Sequence, residues 1–219
     1  HTPQPPMLRS LVGSEMCIRD SGGTFIPDDE VKKKRLPIPA DALLGVQREC
    51  MALDDEPRWL IALISDTGMR LSEACGLQAC DIHLDGDTPY INLVEHPWRR
   101  LKTSSSSRQV PLVGAALWAA HRIKDAGSAF AFPKYCNEAK CNANLASAAL
   151  NKWLKSRVPE HCVVHSFRHS MRDRLRSVHC PSEMIDQIGG WSNQKIGNNY
   201  GSGFQFATML EYMSKLIDN

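Results

Sequence analysis

His165-Ser166-Phe167-Arg168-His169-Ser170-Met171-Arg172-Asp173-Arg174-Leu175-Arg176-Ser177-Val178 carries two patterns at once. Phe167, Met171, Leu175 and Val178 recur at helical spacing and predict a helix over 166–178 with one buried face. Arg168, Arg172 and Arg176 lie on the adjacent line, and His165 sits one turn before Arg168. In the ordinary reading of His165 as a helix-terminal polar residue, Ser166 is the N-cap. A salt-bridged or solvated face accounts for Arg172 and Arg176, and His169 reads as structural. Downstream come Gly189-Gly190-Trp191-Ser192 and then Tyr200, between Asn199 and Gly201.

The same period-3.6 reading places helices over 40–53, from Asp54-Asp55-Glu56-Pro57 to Gly68, over 69–76, 112–126, 142–157, 181–188 and 193–200, and a last one striped by Phe206, Leu210, Met213 and Ile217. The helix before Gly68 is apolar nearly all round and therefore central. Strands are expected at 90–94, 98–102 and 108–111, with the serine-rich turn 103–107 between the last two. The fold class that results is mainly α with a small antiparallel β-sheet, α+β.

At 219 residues and 42% hydrophobic content the chain suits one domain with a true core. No apolar run approaches the ~20 residues of a membrane-spanning helix, so no membrane partner is expected. A net charge of +2 permits nucleic-acid binding without requiring it. Residues 1–21 are read as a non-native or disordered leader, because Leu11–Ser21 resembles a sequencing adapter translated in frame; the native chain is then expected to start further upstream. Residues 22–39 read as a basic linker containing Lys32-Lys33-Lys34-Arg35, and 40–219 as the catalytic domain. Cys75/Cys80 and Cys136/Cys141 are spaced more widely than the common zinc-binding pairs. Reduced, mostly buried thiols in a cytoplasmic protein are the expectation, with no metal and no cofactor.

Arg70 in Thr67-Gly68-Met69-Arg70-Leu71-Ser72-Glu73, Lys102 in Leu101-Lys102-Thr103, the His165/Arg168 pair, Trp191 and Tyr200 form an ordered set. Each has an ordinary alternative: an ion pair of Arg70 with Glu73, a solvated Lys102, a helix-terminal His165, a core Trp191 or Tyr200. Their chemistry converges. Arginine forks match phosphate oxygens and stay charged. A tyrosine hydroxyl, pKa about 10, attacks a phosphodiester only where cations stabilise the developing charge. A lysine on a soft turn can protonate a leaving oxygen.

Taken together, these residues in this order resemble the catalytic domain of a tyrosine recombinase, the phage-integrase family of site-specific DNA recombinases, from about Arg35 onward. The resemblance implies catalytic roles for Arg70, Lys102, His165, Arg168, Trp191 and Tyr200, with Tyr200 as nucleophile and a 3′-phosphotyrosyl intermediate that needs neither metal nor ATP. Trp191 stands where many members have histidine; it keeps a ring N–H donor and gives up acid–base chemistry. Double-stranded DNA and a tetramer assembled on it are the implied partners. A type IB topoisomerase-like enzyme and a DNA-binding fragment without strand exchange are the alternatives.

Overall fold

Asp55 starts the central helix by accepting the Arg58 N–H on its carboxylate at 3.1 Å, and Pro57 sits in the first turn, where its missing N–H has no helical partner to lose. The helix, α2 (Glu56–Thr67), ends at Gly68, whose φ of 61° is a left-handed cap that glycine adopts without strain. Every residue from Leu60 to Thr67 is buried, as the central placement requires, polar Ser65, Asp66 and Thr67 included. In the computed structural model, residues 36–102, 106–191 and 203–217 are described.

Around α2 pack α1 (Ala40–Leu53), α4 (Gly114–Asp125) and α6 (Ser166–Ser177). The remaining helices are α3 (Leu71–Cys75), α5 (Ala143–Leu154), α7 (Ser182–Gly189) and α8 (Phe206–Ser214). Asn142 caps α5 by accepting the Leu145 N–H at 3.1 Å. The α6 stripe is as expected at three positions: Phe167, Met171 and Leu175 are fully buried.

A polar knot fixes one end of α2. The Asp66 carboxylate accepts from Gln47 Nε2 of α1 at 3.0 Å, from Arg174 Nη1 of α6 at 2.7 Å and from the Ala115 N–H at the start of α4 at 2.8 Å. One buried carboxylate therefore joins four helices and neutralises one helix's N-terminal partial charge. Gly114, at φ 49°, makes room: a Cβ there would lie 2.5 Å from Ile217 Cδ1.

Strands β1 (Ile82–His83), β2 (Tyr90–Leu93) and β3 (Arg108–Pro111) form one antiparallel sheet in that order. The register pairs Ile82 with Ile91 and Ile91 with Val110, so these three, with Leu93, give the buried face. The fold class is as predicted; the strand list is not. Residues 98–102 form no strand, and β1 takes the third place in the sheet. The cause is Arg99, only 2% exposed, whose guanidinium turns inward to the Glu73 carbonyl at 3.2 Å and to the Val94 carbonyl. Its stem lies over Gly76, where a Cβ would meet Arg99 Cδ at 2.6 Å. With Arg99 drawn in, the chain makes a tight turn closed by the His96–Arg99 backbone pair instead of an extended hairpin arm.

Other differences are local. Ser166 is the first helical residue and His165 the N-cap; the Ser166 hydroxyl accepts from the Val163 N–H at 3.1 Å. Ile217, placed on the stripe of the last helix, is 45% exposed. Ile38, in the expected linker, is buried, and its N–H donates to Ser170 Oγ at 2.7 Å. The segment 193–200 lies outside the described residues, as do the 1–21 leader and the basic run 32–35.

Candidate active site

Arg70 is the N-cap of α3, in extended conformation, not a residue within the helix. Glu73, one turn on, accepts the Arg70 N–H at 3.0 Å, which is half of a capping box. The same carboxylate takes the Arg70 guanidinium, Nη1 to Oε1, at 2.5 Å. It is 2% exposed and also accepts Arg108 Nη2 of β3 at 3.2 Å. Burial would raise the Glu73 pKa; the Arg108 and Arg70 cations outweigh it and hold the carboxyl below its ordinary 4.5. Arg70 and Glu73 thus form the ion pair that was the ordinary alternative, but in a buried setting where it aims the guanidinium.

From that anchor Arg70 reaches two other segments. Nη1 donates to Ser106 Oγ at 3.1 Å, and Nη2 to the Gly190 carbonyl at 3.3 Å. Arg108 runs parallel to it, donating to the Ile188 carbonyl at 2.8 Å and the Ser106 carbonyl at 2.8 Å. Two arginines on one carboxylate therefore tie α3, the end of the serine-rich turn, β3 and the C-terminal end of α7 together. Sequence reasoning missed Arg108 as part of the site. Its only signal is position, as the first residue of a strand that follows the polar turn.

Arg168 enters from α6 and is 4% exposed. Nη1 donates to the Gly68 carbonyl at 2.7 Å, the cap of α2. Its guanidinium carbon lies 4.2 Å from the centre of the Trp191 ring, and that of Arg172 lies 5.1 Å from the same ring. Nη2 is buried and has no hydrogen-bond partner among the described residues. Burial, and then the neighbouring Arg70 cation, lower the Arg168 pKa from the ordinary 12.5 to about 9. The group is still charged at neutral pH. Arg172 pairs with Asp186 at 3.2 Å and Arg176 with Asp173 at 3.2 Å, as expected of a salt-bridged face.

Trp191 owes its pose to the two glycines before it. Gly190 is the left-handed cap of α7 at φ 61°, and the Trp191 N–H closes the turn on the Asp186 carbonyl at 2.9 Å. Gly189 leaves the space the ring fills, since a Cβ there would lie 1.7 Å from Trp191 Cζ3. The indole thus offers a face to Arg168 and Arg172, a role the sequence reading did not include. His165 is exposed at the start of α6, with its ring edge-on to His169 at 5.3 Å. Lys102 is exposed at the near end of the serine turn. Tyr200 lies outside the described residues.

Arg70, Arg168 and Trp191 are therefore brought together from α3, α6 and the loop after α7, with His165 one turn from Arg168. A cavity of about 490 Å³, lined by Leu43, Leu44, Met51, Ala115, Leu216 and Ile217 among others, includes none of them.

The sequence model described as "Phage integrase family" matches residues 41–203, about three quarters of the chain. The chain belongs to the phage integrase family. This is the tyrosine recombinase family that the ordered set resembles. Comparison with curated protein sequences gives no match. Among solved structures the chain is similar to the Tn1549 transposon integrase in complex with transposon right-end DNA, with a TM-score of 0.57, 18% identity and coverage of 86% of this chain and 68% of that one. It is similar to the XerH site-specific recombinase bound to difH substrate (TM-score 0.55, 17% identity, 81% and 49% coverage) and to the XerA recombinase (0.53, 14%, 88% and 64%). The chain thus spans about half the length of the XerH chain it resembles. These likenesses establish the integrase catalytic-domain fold.

Proposed function

We propose that this chain is the catalytic domain of a site-specific DNA recombinase that cleaves and rejoins DNA through a 3′-phosphotyrosyl intermediate. Membership of the family supports the reaction class. The observation that carries the reading further is the placing of Arg70 with Arg168: two guanidiniums from distant helices come to one site, and a buried donor of Arg168 has no partner among the described residues. A phosphodiester has the charge and acceptors to match both.

In the proposed reaction Arg70 and Arg168 hold the non-bridging oxygens of the scissile phosphate, and Trp191 supports Arg168 with its face and donates its ring N–H. Tyr200 attacks phosphorus; His165 takes its proton. Lys102, carried on the serine turn, protonates the departing 5′-oxygen. The phosphotyrosyl bond conserves the energy of the broken bond, so a second 5′-hydroxyl can reverse the step without ATP or a metal. Double-stranded DNA as substrate, a tetramer assembled on it and a cytoplasmic location belong to the same proposal. So does the division into a leader (1–21), a linker (22–39) and this domain.

The test is a nicked suicide duplex, which traps the covalent complex by loss of the short 5′-hydroxyl strand. The wild type is expected to accumulate protein–DNA adduct. Tyr200→Phe should keep its DNA affinity and give no adduct; an equal yield from that variant would remove Tyr200 as nucleophile.

A further inference from the structure

Three thiols, Cys75, Cys136 and Cys141, meet at the end of α3 opposite Arg70. Cys75 closes that helix and is fully buried, and Cys136 is 2% exposed. Cys141 is half-buried. Cys136 and Cys141 face each other across a small antiparallel hairpin. Its hydrogen bonds run from Asn137 N–H to the Lys140 carbonyl at 3.0 Å and from Asn142 N–H to the Tyr135 carbonyl at 2.8 Å. Both bonds flank the cysteine pair, so this is the non-hydrogen-bonded position, where Cα atoms lie about 4.5 Å apart. That spacing falls inside the roughly 4.4–6.8 Å window a disulfide spans. The Asn137 carboxamide pins the loop further by accepting from Ala139 N–H at 3.0 Å and Lys140 N–H at 3.1 Å. The backbone thus holds the geometry a crosslink needs. All three thiols are free, and no group of three His, Cys, Asp or Glu side chains among the described residues is arranged to hold a metal ion.

We propose that Cys141 and Cys136 form a peroxide-responsive dithiol, with Cys141 as the attacking thiol. The Cys141 thiolate attacks one oxygen of hydrogen peroxide and the O–O bond breaks, leaving a sulfenic acid and, after proton uptake, water. The Cys136 sulfur then attacks the sulfenic sulfur; the S–O bond breaks, the oxygen leaves as a second water and the S–S bond forms. Two thiols are oxidised by two electrons, and one peroxide is reduced to two waters.

The surroundings favour Cys141 as the attacker. The neighbouring Cys75 thiol, then Cys136 and the buried Arg99 cation, outweigh burial and bring its pKa from 9.0 down to about 7. Cys136, more deeply placed, is pushed up to about 12 by burial and by the Cys141 charge. Thiolate therefore forms at the one thiol of the three that solvent reaches. The proposal is independent of the DNA chemistry assigned above.

Trypsin cuts after Lys134, Lys140 and Lys152, which separates Tyr135–Lys140 from Cys141–Lys152. After treatment with equimolar hydrogen peroxide and alkylation without reductant, mass spectrometry is expected to find these two peptides joined. In Cys136→Ser the disulfide should be lost and Cys141 should be captured by dimedone as the sulfenic acid. Iodoacetamide at pH 7 should label Cys141 ~10-fold faster than Cys80, although Cys80 is the more exposed. Free Cys136 and Cys141 peptides after peroxide, a Cys75–Cys141 link in their place, or faster labelling of Cys80 would each overturn the proposal.

Discussion

Arg70 and Arg168 occupy the same site and are held in opposite ways. Arg70 has a carboxylate of its own: Glu73 grips both its backbone N–H and its guanidinium, and shares the charge with Arg108. Among the described residues no carboxylate bonds Arg168. It is held by a carbonyl and an aromatic face, and one of its buried donors is unpaired among the described residues. The first arrangement is satisfied by the fold itself, so it aims a cation at little cost. The second leaves a cation under-neutralised in a buried place, where an anion gains most from binding it. The site combines a stable bracket with a strained receptor.

The largest effect should come from breaking the bracket. Glu73→Gln leaves the buried Arg108 guanidinium and the half-buried Arg70 facing a neutral amide, and removing one partner of a buried ion pair costs about 3–5 kcal/mol. Chemical denaturation should show a loss of that order. The folded carboxyl has a depressed pKa, so its contribution is complete above the ordinary 4.5 and disappears as pH falls through the lower folded value. Wild type and Glu73→Gln should therefore converge in acid and be fully separated above about pH 4.5. A gap independent of pH would mean that the carboxylate charge is not what binds the bracket together.

Next in size is the support beneath Arg168. Gly189→Ala places a methyl group where Trp191 Cζ3 and Cε3 now lie, at 1.7 and 1.9 Å. The neighbour is a rigid ring, so it must leave its seat, and overpacking of this kind costs about 1–3 kcal/mol. Adduct formation on the suicide duplex should fall by more than the folded fraction does, because Arg168 loses its aromatic backing. Melting and cleavage measured on the same sample separate the two. Cleavage that merely tracks the folded fraction would reduce Trp191 to a packing residue.

Much of this comparison was open to reading from sequence, and the part that was not has a physical cause. The α6 stripe and the apolar α2 follow from local periodicity, and so does the helix stop at Gly68. The convergence of Arg70 and Arg168 was inferred only through the ordered motif. Arg108 and Asp66 were missed because each acts through partners far away in the chain: Arg108 meets Ile188, and Asp66 meets Arg174. The 98–102 strand failed for a similar reason. Residues 98–102 read as a strand before a turn, yet Arg99 finds more hydrogen-bond partners inside the protein than an exposed edge position would give it, and tertiary contact overrides local preference.

The smallest change in stability should come from the receptor itself, and its sign is the sharpest test. Arg168→Met keeps length and a soft contact on the Trp191 face while deleting a buried charge. Folding bears the full cost of that charge at neutral pH, since the pKa, lowered to about 9 by burial and by Arg70, still lies above 7. Relief of a buried unsatisfied donor offsets the lost Gly68 bond, so stability should stay level or rise by about 1 kcal/mol. Covalent adduct should nonetheless fall by ~10²-fold or more, as when a donor to a developing oxyanion is removed. Sulfate, a stand-in for the phosphodiester, should raise the melting temperature of the wild type by more than that of Arg168→Met, the general salting effect being common to both. If Arg168→Met instead unfolds as Glu73→Gln is expected to, the two arginines are held alike, and Arg168 is a structural cation in place of a receptor for the phosphate.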